Sequence, residues 1–126
     1  MKPNHKTLTA YQKGLELSIR IFKKAQQFPA DEKFALVDQI KRSSRSVCAN
    51  IAEAYRKRRY VKDYTNKLSI SDAELSETQV WLDISLGCEY ITAEEYQSLY
   101  NLSEECGRLI GHMLGNPATY GVLIPK

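Results

Sequence analysis

The densest chemistry in the chain is basic. Residues 41–62 hold eight Lys or Arg side chains and one acidic residue, whereas residues 63–126 hold three basic and ten acidic ones. A net charge of only +3 therefore conceals a positive segment followed by a negative half. On a helix, Arg42, Arg45 and Arg56 fall within about 60° of one another and span about 21 Å along the axis. Phosphates recur every ~3.4 Å along a strand of B-DNA, so such a row can track several of them. The planar guanidinium fork meets phosphate oxygens with two parallel hydrogen bonds. Lys57, Arg58, Arg59 and Lys62 extend the row around the next turn, where Tyr55 and Tyr60 offer rings for unpaired bases. A competing reading needs no ligand. Cations suit a helix C-terminus on dipole grounds, and Arg42 and Arg45 can pair with carboxylates of the acidic half across a subunit boundary.

Carboxylates are the second candidate chemistry. Glu74 and Glu77 share one helical face with Ile70 and Trp81, and Glu53 is placed to project inward from the preceding helix. A two-metal carboxylate core uses two Glu-x-x-His pairs. Neither histidine, His5 or His112, stands three residues after a glutamate, so no metal or cofactor is expected. The expected role of Glu53 and Glu74 is an ion pair with a bundle arginine, or a hydrogen bond to Asn50 or a tyrosine. Such a pair specifies register more than it stabilises. Cys48, Cys88 and Cys106 are odd in number and far apart, which argues against a disulfide framework or zinc site and leaves buried, reduced thiols. No Gly-x-Ser-x-Gly elbow or Gly-rich phosphate loop occurs. Trp81 and the tyrosines read as core and interface fillers, and the protein as non-enzymatic.

The elements that must hold these residues are helical. The length of 126 residues suits one domain, and 43% hydrophobic with 26% charged residues is an ordinary globular composition. No apolar run approaches the ~18 residues of a membrane span, and no secretory signal pattern opens the chain; a cytoplasmic protein without a membrane partner is expected. Stop signals fall at Pro29, Gly87 and Asn116-Pro117. Between them the apolar period predicts helices over about 9–27, 31–57, 61–86 and 92–114, with an irregular tail over 116–126. Expected caps are Thr9 with Gln12, then Asp31, then Thr92 with Glu95. Continued helix would carry Arg58 onto the apolar face, so the second helix should stop near 57. Short connections make neighbours antiparallel, giving an all-α, up-down-up-down four-helix bundle.

Two helices are apolar on more than one side. The first has a seam of Leu8, Tyr11, Leu15, Ser18, Phe22 and Ala25, with Leu17 and Ile21 about 160° away. The third has Val61, Tyr64, Leu68, Ser71, Leu75, Thr78 and Leu82 as its seam, with Ile70, Trp81 and Ile84 beyond it. A lone bundle needs one stripe per helix, so Leu17, Ile21, Ile70 and Ile84 are expected at a subunit interface.

Four stretches carry a family resemblance: YQKGLEL (Tyr11 to Leu17), FPADEKFALVDQIKRS (Phe28 to Ser43), SVCANIAEA (Ser46 to Ala54) and E-x-x-E-T-x-x-W-L (Glu74 to Leu82). Over about residues 10–115 the chain resembles a bacterial four-helix-bundle family first noticed as reading frames inside intervening sequences of 23S ribosomal RNA. Asn50-Ile51-Ala52-Glu53 is the most specific piece. The resemblance implies a homo-pentameric ring of bundles with no established catalytic activity. It extends distantly to the accessory protein of diversity-generating retroelements, a pentamer with a basic surface that associates with a reverse transcriptase and nucleic acid. Cys48 and Ala54 depart from the family's usual proline and glycine. Both changes favour a straighter second helix.

Two functions follow from different classes. One is a homo-oligomer that grips RNA or DNA phosphates through Arg42, Arg45, Arg56, Lys57, Arg58, Arg59 and Lys62, with Tyr60 alongside. The other is a scaffold that docks a partner protein, such as a reverse transcriptase, without touching nucleic acid. Counterion release makes the first steeply salt-dependent and the second less so.

Overall fold

In the computed structural model, residues 4–125 are described. They form four α-helices, α1 (Thr9–Ala25), α2 (Leu36–Arg56), α3 (Val61–Gly87) and α4 (Ala93–Gly115), with single 3-10 turns at His5–Thr7, Ala30–Glu32 and Pro117–Tyr120. There is no strand among the described residues.

Cross-helix contacts run in opposite senses along every neighbouring pair. Lys13 meets Glu105 near one end of the α1–α4 seam and Lys24 meets Glu95 near the other. Arg42 reaches Glu77 and Glu53 reaches Lys67 between α2 and α3. The helices therefore pack α1–α2–α3–α4 in a closed antiparallel square, as short connections require.

The expected α3 seam lies in the core except for Val61, which is half-buried, and α4 supplies the facing side. Tyr64, Leu68, Ser71, Leu75, Thr78 and Leu82 are buried from α3, and Leu99, Ser103, Cys106, Ile110 and Met113 from α4. The buried hydroxyls are bonded rather than stranded. Ser71 Oγ donates to the Val47 carbonyl at 2.7 Å, Thr78 Oγ1 to Ser43 Oγ at 2.8 Å, and Tyr64 OH to the Met113 carbonyl at 2.9 Å. Each of these three bonds joins two helices and so fixes register as well as satisfying a polar atom.

The seam of α1 is corrected. Leu17 and Ile21 are 0% and 2% exposed and belong to the core, while Leu15 and Phe22 are each 39% exposed. Gly14 sets the rotation: a Cβ there would sit 3.2 Å from Cys48 Cβ, so the bare backbone faces α2 and carries Leu17, Ser18 and Ile21 inward with it. Leu17 and Ile21 are thus unavailable to a second subunit. The second apolar stripe on α1 exists, but its members are Leu15, Ile19 and Phe22. On α3 the exposed members are Ile70, Val80 and Ile84, with Trp81 half-buried.

Helix starts also differ in detail. Thr92 and Glu95 make the expected reciprocal capping box, but Leu8 precedes α1 with no side-chain cap. Gln12 Nε2 instead donates to the Lys6 carbonyl. The second helix begins at Leu36, not at 31. Residues 30–32 form a 3-10 turn whose Glu32 carboxylate accepts from Tyr90 OH at 2.9 Å. That bond ties the turn to the α3–α4 connection, and Phe34 points to solvent, 87% exposed. Past Gly87 the left-handed residue is Glu89 (φ 63°) rather than a glycine. The final segment is less irregular than expected: Pro117–Tyr120 forms a 3-10 turn and Val122 is buried.

Candidate nucleic-acid interface

Helix α2 is continuous from Leu36 to Arg56, including Cys48 and the fully buried Ala54. It carries the basic residues at two different levels, and the structure treats the two levels differently.

At mid-helix the cations are engaged. Arg42 spans the α2–α3 seam, with Nη1 3.0 Å from Glu74 and Nη2 2.7 Å from both oxygens of Glu77. These hydrogen bonds, foremost that from Arg42, hold the Glu77 carboxyl below the usual carboxylate range. They raise the Arg42 guanidinium correspondingly, the bond to Glu77 first. The Trp81 indole Nε1–H, on the same helix as Glu77, is buried without a hydrogen-bond partner among the described residues. Arg45 lies 5.7 Å from the Phe22 ring centroid and Lys41 5.5 Å from it. The charged row of Arg42, Arg45 and Arg56 is therefore interrupted by two carboxylates at its first member.

The remaining carboxylate expectations divide. Glu74 does pair with a bundle arginine. Glu53 does not project inward: it is exposed and pairs with Lys67 at 2.8 Å. Asn50 donates to the Ser46 carbonyl and hydroxyl within its own helix. Among the described residues no group of three His, Cys, Asp or Glu converges to hold a metal ion. Of the thiols, Cys106 is buried and Cys48 half-buried, but Cys88 is exposed, on the last turn between α3 and α4. Burial, before any other cause, pushes Cys106 up to about 12 and raises Cys48.

At the end of α2 the cations pair with no carboxylate of the described residues. Arg56, Lys57, Arg59 and Lys62 are exposed around the turn to α3, and none forms an ion pair among the described residues. Tyr60 is 57% exposed beside them. Arg58 differs from its neighbours. Its guanidinium lies 3.7 Å from the Tyr55 ring centroid, Nε donates to the Tyr55 carbonyl at 2.8 Å, and Nη1 donates to the Tyr120 carbonyl at 3.2 Å. Its own carbonyl accepts from Leu123 N–H at 3.0 Å. Helix α2 stops at Arg56, which spares Arg58 burial in the core and lets it clamp the C-terminal segment instead.

The sequence reading missed two contributors to this end. The first turn brings Lys6 and His5 beside Arg56 and Arg59, and Gly121 and Leu123 complete the same cleft. The only sequence signal was Asn4, whose side chain accepts from Lys6 N–H at 2.9 Å and so starts the turn.

The sequence profile described as 23S rRNA-intervening sequence protein matches residues 6–112. The chain belongs to that family. A crystal structure of a protein of unknown function from the S23 ribosomal protein family of Bacteroides thetaiotaomicron is 36% identical, with a TM-score of 0.77. The match covers 84% of this chain and 95% of that one. No curated protein matches the chain. The profile includes Lys6 and the whole basic turn, whereas Gly121 and Leu123, which close the cleft, lie beyond it.

Proposed function

We propose that this protein is a non-catalytic, nucleic-acid-binding member of its family that holds phosphates at the α2–α3 end of the bundle. The observation that carries the reading is the contrast in pairing along α2. Arg42 has two carboxylate partners, while Arg56, Lys57, Arg59 and Lys62 have none among the described residues. Unpaired, exposed cations on a rigid helix end meet phosphates without first breaking an ion pair. Tyr60 stands ready to stack on an unpaired base. The family's name associates it with 23S rRNA, which makes single-stranded RNA the first polymer to test.

The reading also includes self-association in the cytoplasm. Leu15, Ile19 and Phe22 on α1 and Ile70, Val80 and Ile84 on α3 leave two apolar stripes outside the core, and closing a ring of copies, five by family resemblance, would cover them. A ring repeats the basic end in every copy and multiplies avidity without new contacts.

Fluorescence anisotropy with labelled single- and double-stranded RNA and DNA over a salt series tests the reading. Binding should weaken steeply with salt and fall further when Arg56, Arg59 and Lys62 are changed to Glu. Absence of binding to any of the four polymers at low salt would refute it and favour docking of a partner protein.

A further inference from the structure

The cleft at the α2 end is more specific than an exposed charge cluster requires. It has a volume of about 710 Å³ and is walled by three separate parts of the chain. The N-terminal turn supplies His5 and Lys6, the α2 end supplies Tyr55, Arg56, Arg58 and Arg59, and the C-terminal segment supplies Gly121 and Leu123. No carboxylate is among the lining residues.

Each wall is held by bonds that do not consume its charge. Asn4 accepts from the Lys6 amide, and Gln12 caps the Lys6 carbonyl, so the Lys6 ammonium is left outward. The His5 ring stands edge-on to Tyr11 with centroids 4.8 Å apart. Arg58 spends Nε and Nη1 on two backbone carbonyls, which are neutral acceptors, and rests on the Tyr55 ring. Its charge thus stays uncompensated by any carboxylate of the described residues although the residue is half-buried. Placing a cation there in reduced dielectric is unfavourable unless an anion joins it. Gly121 makes room for the arrangement. It has φ +84°, and a Cβ at that position would approach Arg58 Nη1 to 2.9 Å. Leu123, 62% exposed, adds an apolar wall beside the charged floor.

We propose that this cleft takes one nucleotide unit of a single-stranded nucleic acid, its phosphate against Arg56, Arg58 and Arg59 and its sugar and base towards Leu123. This assignment rests on the nucleic-acid reading and deepens it. A mixed lining of converging cations and one apolar side chain matches a phosphate joined to an apolar-faced base, and the volume is in the range of small-molecule sites. Charge alone would account for the phosphate but not for the apolar wall.

The test is a two-dimensional amide NMR titration of the full chain with uridine 5′-monophosphate, with orthophosphate, and with hexauridylate. Uridine 5′-monophosphate should move the amides of residues 4–6, 56–59 and 121–123 and compete with labelled hexauridylate. Arg59→Ala, on the exposed rim, should weaken both ligands about tenfold while leaving the rest of the spectrum in place. Gly121→Ala, which displaces Arg58, should weaken both as well. If hexauridylate binds but the mononucleotide shifts fall elsewhere, the cleft assignment fails and the phosphate-grip reading stands. If orthophosphate reproduces every shift with equal affinity, the nucleotide assignment fails. If none of the three ligands binds, the cleft assignment fails, and the phosphate-grip reading falls with it only if the four polymers also fail to bind at low salt.

Discussion

Two arginines on or beside the same helix have opposite fates, and their partners explain why. Arg42 faces α3 where Glu74 and Glu77 stand one turn apart, and its fork spans both. Arg58 lies two residues beyond the end of α2 and, among the described residues, meets two carbonyls and a ring. Arg42→Ala should therefore destabilise the fold by about 1 kcal/mol, the upper end for a partly exposed pair, measured by urea unfolding at neutral pH. The depressed Glu77 carboxyl contributes stability that is present above the ordinary carboxylate range and is lost as pH falls through its lowered value. The difference between wild type and Arg42→Ala should accordingly shrink in acid. A difference that stays constant down to acid unfolding would contradict the pair. Tyr64 acts at the other end of the scale. Burial, ahead of nearby Tyr120, raises its hydroxyl to about 12, and the neutral form donates to Met113. Its stabilisation is complete below the ordinary tyrosine value of about 10 and is lost as pH rises towards 12. Tyr64→Phe should cost about 1 kcal/mol at neutral pH and make stability less sensitive to alkali.

At the scale of elements, caps and close approaches decide where helices begin and how they turn. Thr92→Ala removes the side-chain half of the α4 capping box, the bond from Glu95 N–H to Thr92 Oγ1, while the backbone N–H at 92 can still donate to Glu95. It should cost about 1 kcal/mol, read as a lowered denaturant midpoint with unchanged slope. Gly14→Val puts a branched side chain against Cys48 Cβ, where even a single Cβ has 3.2 Å, and should destabilise by roughly 2 kcal/mol through overpacking. The α3 seam was legible because Tyr64, Leu68, Ser71, Leu75, Thr78 and Leu82 recur at steps of three and four in an unbroken run, whereas Ile70, Trp81 and Ile84 beside them do not. The α1 seam was not: Leu15 and Phe22 continue one period, Leu17 and Ile21 another, and both are equally apolar. What separates them is Gly14, whose packing against α2 is a tertiary fact that periodicity cannot register. The start of α2 was misplaced for a similar reason. Asp31 and Glu32 look like a helix beginning, but the Tyr90–Glu32 bond holds them in a 3-10 turn. For the candidate site, the basic run was visible as composition. Its division into a paired middle and an unpaired end depends on which residues of α3 lie opposite, and the contribution of residues 4–6 and 121–123 depends on both ends of the chain meeting at one end of the bundle.

At the scale of the molecule, the apolar stripes of α1 and α3 and the cluster of cations at the α2–α3 end lie on separate parts of the bundle, which the proposed function assigns to copies of itself and to a polyanion. Ile70→Asp with Ile84→Asp should reduce the mass found by light scattering while the helical circular dichroism persists. Leu17→Asp, inside the core, should instead abolish the helical signal. No helix among the described residues is long and apolar enough to cross a membrane. In the proposed function the grip lies at the end of α2 and not along its middle. That placement is tested most directly by measuring one labelled single-stranded RNA, across a salt series, against two assembled variants. Arg56→Gln with Arg59→Gln should weaken binding at least about tenfold and lower the slope of log K against log salt by about two. Arg42→Gln with Arg45→Gln should leave both affinity and slope near those of the wild type. The opposite pattern, with the mid-helix pair controlling the slope and the end pair silent, would contradict the account.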